Sequence, residues 1–165
     1  MIASDGTVRL GRGAEEIAAW LVDDLRDTAS AKSWLERILT IKNGVENEGY
    51  LGTGNAHSIG VKDGLVYLEC SYVDELKVAL TIDQMIAVLN SYIVFSKKKR
   101  RDINNPPASF LVEFELEGEA AWEKYSNLGG MLGWTKEDVK KNNAKLKKSK
   151  SNEKLMNISG RKSEL

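Results

Sequence analysis

The tetrapeptide Lys62-Asp63-Gly64-Leu65 restricts the fold of this chain more than any other feature. Asp-Gly suits a two-residue hairpin turn, because both central residues of that turn need a positive φ. With Lys62 opposite Leu65, Val61 faces Val66, Ile59 faces Leu68 and His57 faces Cys70. That face of the ribbon is apolar. The other face pairs Gly60 with Tyr67 and Ser58 with Glu69, and reads as wet. Such a ribbon holds its register, since a one-residue slip turns the apolar face to water. A third strand follows from Leu76 to Leu80, after a turn at Val73-Asp74-Glu75.

Thr81-Ile82-Asp83-Gln84 then has the pattern of a capping box, in which the threonine and glutamine side chains satisfy each other's backbone amides. The helix it starts carries Ile82, Met85, Ile86, Leu89, Tyr92 and Ile93 or Phe95 in one stripe. That stripe is expected to pack on the apolar face of the meander, as neither element buries its own face alone.

Upstream, Ile17, Trp20, Leu21 and Leu25 mark a first amphipathic helix, with Asp23, Asp24 and Arg26 read as outside its stripe. A second helix, or a continuation broken near Thr28, carries Trp34, Leu35, Ile38 and Leu39, with Ser30 as its expected N-cap and Asn43-Gly44 as its stop. Thr7 to Leu10 reads as a short strand and Val45 to Asn55 as a loop. Downstream, Lys97–Arg101 and Asn104-Asn105-Pro106-Pro107 suggest an internal linker over 97–108. Phe110, Val112, Phe114 and Leu116 alternate like a half-buried strand, and Glu119 to Leu128 reads as a helix stopped by Gly129-Gly130. Trp122 and Trp134 either form an exposed aromatic patch or seal a core edge. The expected architecture is α+β: an antiparallel β-meander packed against helices in one domain, residues 1–135. Residues 136–165 are expected to form a helix capped by Thr135, then a disordered lysine-rich tail.

Hydrophobic residues make up 42% of the chain, enough for one real core. The longest apolar stretch, Met85 to Phe95, falls far short of the roughly 20 residues that span a bilayer, so no membrane is expected. A single cysteine forbids an internal disulfide, and no signal-peptide pattern opens the chain, so the default expectation is a cytoplasmic protein. The formal net charge of +0 hides an asymmetry. Residues 1–96 carry 8 Lys/Arg against 14 Asp/Glu, a net −6, while residues 136–165 carry 10 against 4, a net +6. An acidic body attracts basic partners at long range.

Few residues suit catalysis. His57 opposite Cys70 is the sharpest pair, since an imidazole activates a thiol, but both lie on the apolar face, where a buried thiol beside a satisfied histidine is the plainer reading. Gly52-Thr53-Gly54-Asn55 lacks the lysine and the helix start that a phosphate loop needs. The acid pairs Glu46/Glu48, Asp74/Glu75 and Asp23/Asp24 read as solvated. No spacing offers the three or four ligands zinc wants, so neither a metal nor a cofactor is expected. The tail from Val139 to Leu165 has no aromatic residue for base stacking. A nucleic-acid-associated module using that tail is therefore the alternative rather than the first reading. The chain is expected to bind rather than to act as an enzyme.

Gly54-Asn55-Ala56-His57-Ser58-Ile59, Val66-Tyr67-Leu68-Glu69-Cys70 and Leu80-Thr81-Ile82-Asp83-Gln84-Met85-Ile86, in that order, resemble small bacterial immunity proteins that neutralise contact-dependent growth inhibition and other polymorphic toxins. The resemblance implies a cognate toxin domain as partner, often a basic nuclease, neutralised by covering its active site or an adjacent surface. Its inhibitory residues do not transfer position by position. The docking surface expected from the chain itself is the wet hairpin face and the acidic loops: Tyr67, Glu69, Asp74, Glu75, Glu46 and Glu48. Tyr67 would supply apolar area and the acids charge-assisted bonds to Lys or Arg.

Overall fold

The structure, a computed structural model, describes residues 11–101, 104, 110–133 and 140. It is α+β. Helix α1 (Arg12–Trp20) runs into a π-helical turn (Leu21–Leu25), then α2 (Thr28–Lys42), β1 (Gly49–Thr53), β2 (His57–Lys62), β3 (Leu65–Cys70), β4 (Lys77–Thr81), α3 (Ile82–Arg101), β5 (Leu116–Glu117) and α4 (Glu119–Asn127). The chain divides into two compact units, Met1–Leu132 and Gly133–Leu165, and of the second only Gly133 and Lys140 are described. The strand expected at Thr7–Leu10, the cap at Thr135, the last helix apart from Lys140, and the lysine-rich tail lie outside the described residues, as does Trp134.

The five strands form one antiparallel sheet in sequence order, β1-β2-β3-β4-β5. The β2–β3 hairpin has the register its turn predicts, from Lys62 opposite Leu65 to His57 opposite Cys70. Asp63 and Gly64 sit at φ +49 and +74, the left-handed pair that the turn requires. The Glu48 carboxylate accepts from both of their amides, at 2.7 and 2.8 Å, and so fixes the turn. The capping box forms as expected: Gln84 N donates to Thr81 Oγ1 at 3.1 Å, and Thr81 N donates to Gln84 Oε1 at 2.8 Å.

Several expectations are corrected. β1 lies inside the segment expected to be loop; its glycines and a bulge between Tyr50 and Gly52 break the alternation that marks a strand. The second helix is capped by Asp27, which accepts from Ser30 N at 2.7 Å, and not by Ser30 itself. Its buried side chains are Ala31, Ile38 and Ile41, while Leu39 is exposed. Helix α3 continues through the basic run to Arg101, across the first residues of the linker expected over 97–108. It packs mainly along α2; α1 lies more fully over the sheet, against β3 and β4.

The largest correction concerns the second face of the hairpin, which is not wet. Helix α4 covers it. Tyr67 is 0% exposed, stacked on Tyr125 with ring centroids 4.8 Å apart and planes 10° from parallel, and Trp122 closes the edge at 5.5 Å. Gly60 makes this approach possible: a Cβ there would stand 2.1 Å from the Tyr125 hydroxyl. The sheet thus has two cores. Ile59, Val61, Val66, Leu68, Val78 and Leu80 pack under α1, α2 and α3, and Tyr67 with Leu65 and Ala79 packs under α4.

Residues 110–117 join both. Phe110, Val112 and Phe114 pack against the first core and Leu116 against the second, because a bend at Glu115 switches the face. Only Leu116 and Glu117 pair with β4. Glu117 Oε2 accepts from the Gly13 amide at 2.9 Å. It supplies the anionic cap that Gly11, at the N-terminus of α1, has no side chain to provide.

Candidate functional site

One end of the β2–β3 hairpin gathers the residues with chemical potential. His57 opens β2 and Cys70 closes β3 directly opposite. Glu16 reaches them from α1 and Asp24 from the π-helical turn. By spacing, Glu16 lies one turn before Trp20, and Asp24 two turns after Ile17, so both belong to the inward side of this helical segment. Asp24 is therefore not outside the stripe, nor is it solvated: its side chain is 5% exposed.

Asp24 is the organiser. Its Oδ1 accepts from the amides of Asn55 and Ala56 at 2.5 and 3.2 Å, and its Oδ2 accepts from the His57 amide at 3.1 Å. Asn55, which ends the segment weighed as a phosphate loop, thus forms with Ala56 and His57 a nest of amides around the chain's own carboxylate. Oδ2 also lies 2.9 Å from His57 Nδ1. A carboxylate accepts, so Nδ1 donates to it and Nε2 points the other way.

What faces Nε2 is Glu16 Oε1, at 3.8 Å, too far for a hydrogen bond. Glu16 is 0% exposed and His57 2%. Both carboxylate oxygens of Glu16 and Nε2 of His57 have no hydrogen-bond partner among the described residues. Burial pushes the Glu16 carboxyl up to about 8, helped by the nearby charges of Glu69 and Asp24. Cys70 is half-buried, and one donor atom from each of Glu16, His57 and Cys70 lies within 4.8 Å of the others. Sequence spacing does not reveal this trio, because its members come from a helix and two strands. Glu16 was missed altogether, although its place one turn before a buried tryptophan was a legible signal.

The expected docking residues separate. Tyr67 is internal and donates to Glu69 Oε2 at 2.7 Å; burial, then that bond to Glu69, raises its pKa above the ordinary tyrosine value. Tyr67 therefore offers no surface, a correction to the expected wet face. Glu46 pairs with Arg37 at 3.0 Å and Glu48 holds the hairpin turn, at the end of the hairpin away from Cys70. Asp74 and Glu75 stay together in the exposed β3–β4 loop. They line a groove of about 580 Å³ with Glu117 and Glu119, four acids facing Arg12 and Lys77. Lys77 is already paired with Glu119 at 2.9 Å. Beside the two acids, Tyr72 is 78% exposed and Val73 40%.

No protein-family model, curated protein or solved structure matches the chain. Among the described residues, no helix is long and apolar enough to cross a membrane.

Proposed function

We propose that the protein is a non-enzymatic inhibitor of the bacterial immunity type, which binds and neutralises a cognate basic toxin domain, a nuclease by preference, in the cytoplasm. The observation that carries this reading is Tyr72, an aromatic side chain displayed to solvent on a loop with Val73, Asp74 and Glu75. Exposed aromatics beside charged groups are the usual anchors of protein interfaces. Tyr72 takes the role first expected of Tyr67. Asp74 and Glu75, the two groove acids engaged neither by Lys77 nor by the Gly13 amide, suit an arginine or lysine of the partner, with charge-assisted bonds in place of the toxin's contacts to phosphate. The net −6 of residues 1–96 speeds encounter with a cationic domain.

The test is direct. The chain is co-expressed with the product of the neighbouring upstream gene and growth is followed. Relief of toxicity and a purified one-to-one complex support the proposal. A neighbour that is not toxic, or whose toxicity persists, removes it. Replacing Tyr72 by Ala together with Asp74 and Glu75 by Lys should abolish protection while leaving the fold intact.

A further inference from the structure

We propose that Glu16, His57 and Cys70 are the three protein ligands of a transition-metal site, best suited to zinc, with Asp24 orienting the imidazole. The donor set is the first argument. Carboxylate, imidazole and thiolate together are zinc ligands, and a thiolate disfavours magnesium and calcium. The geometry is the second. Two ligand atoms about 2.0–2.1 Å from a tetrahedral zinc stand roughly 3.3 Å apart. Glu16 Oε1 and His57 Nε2 stand 3.8 Å apart, too far to bond each other and close to the span of an ion between them. All three donors fall within 4.8 Å, so small side-chain shifts close the site.

The third argument is polar satisfaction. A buried carboxyl group with neither oxygen paired, facing an unpaired imidazole nitrogen, is costly in an apolar core. A dication supplies the missing partner for both and balances the Glu16 carboxylate and the Cys70 thiolate. Binding displaces the Cys70 thiol proton, and that of Glu16 where it is present, into solvent. The fourth is the outer shell. Asp24 holds the proton on Nδ1 and leaves Nε2 free, the carboxylate–histidine–metal arrangement of many zinc sites. A nucleophilic role for Cys70 is less well served, because Glu16 already occupies the space facing Nε2.

The full chain, stripped with a chelator and kept reduced, is titrated with Co²⁺ and then with Zn²⁺. One Co²⁺ per chain is expected, with a thiolate-to-cobalt charge-transfer band, displaced by Zn²⁺, and Zn²⁺ should raise Tm. Cys70→Ser should remove the band, and both Cys70→Ser and Glu16→Gln should weaken Zn²⁺ binding by at least about 10-fold. Asp24→Asn should weaken it about 10–100-fold while keeping the band. Because His57→Ala risks the fold, the near-isosteric serine and glutamine variants decide the matter. Absence of the charge-transfer band in the native chain, or equal Zn²⁺ affinity in the native chain and Cys70→Ser, overturns the site. The titration needs no protein partner, so its failure and that of the inhibitor reading are separable.

Discussion

Asp24 Oδ2 lies 2.9 Å from His57 Nδ1 and 3.1 Å from the amide nitrogen of the same histidine. One carboxylate oxygen thereby fixes both the ring and the backbone at the start of β2. Asp24→Ala leaves three amides and a ring nitrogen without their acceptor and should cost about 3–5 kcal/mol in urea unfolding. Asp24→Asn keeps the Oδ1 acceptor used by Asn55 and Ala56 but presents an NH₂ to His57. A smaller loss, about 1–3 kcal/mol, is expected there. Equal losses in the two variants would show that the Oδ1 acceptor retained in Asp24→Asn does not by itself support the amide nest.

The stacked tyrosines predict alkaline sensitivity. Burial raises Tyr67 above its ordinary value and pushes Tyr125 up to about 12. Each folded-state pKa exceeds its unfolded value near 10, so the associated stability is fully present below about pH 10 and is lost as pH rises through the folded values. Stability should fall above about pH 10, by at most about 1.4 kcal/mol per pH unit for each tyrosine. Tyr67→Phe should make that fall shallower. It should also cost about 1 kcal/mol at neutral pH through the lost bond to Glu69. Denaturation midpoints across pH 8–11 test both.

Gly60 and Tyr125 are matched in shape. Gly60→Ala drives a methyl group against the Tyr125 hydroxyl, and a loss of about 2–3 kcal/mol is expected. In a Tyr125→Leu background the same substitution should cost less than half as much, because the obstructing ring end is gone. A double-mutant cycle measures this; strict additivity would place the strain elsewhere.

Tyr72 should behave oppositely. It is exposed, so Tyr72→Ala should leave thermal stability within about 0.5 kcal/mol of the native chain. If the proposed function holds, binding to the proposed partner should nevertheless weaken by about 2 kcal/mol or more. Association rates should drop with added salt in the native chain and drop less when Asp74 and Glu75 are neutralised.

The local signals were legible. Asp63-Gly64 fixed a hairpin register, Thr81 and Gln84 a helix start, and Gly129-Gly130 a helix stop, because each is a backbone requirement met within four residues. The strand at Gly49–Thr53 was not legible, since its glycines and bulge erase the period of two. Nor was the burial of Tyr67. The Gly60–Tyr67 and Ser58–Glu69 pairs look solvated until α4 arrives from some fifty residues downstream. The candidate metal ligands were half legible: His57 and Cys70 follow from the hairpin register, whereas Glu16 depends on how α1 settles on the sheet. Asp24 was hidden by the expectation that a charged residue faces water.

Each strand pairs only with its immediate neighbours in the chain, from β1 through β5. Assembly of the sheet can therefore proceed like a zipper from β1 to β4, each step closing a short loop, whereas β5 returns to β4 only after α3. The Gly13–Glu117 hydrogen bond closes across 104 positions and must await both ends. Refolding should show a fast phase in which the hairpins form and a later one in which the C-terminal segment docks, with Trp122 fluorescence reporting the second.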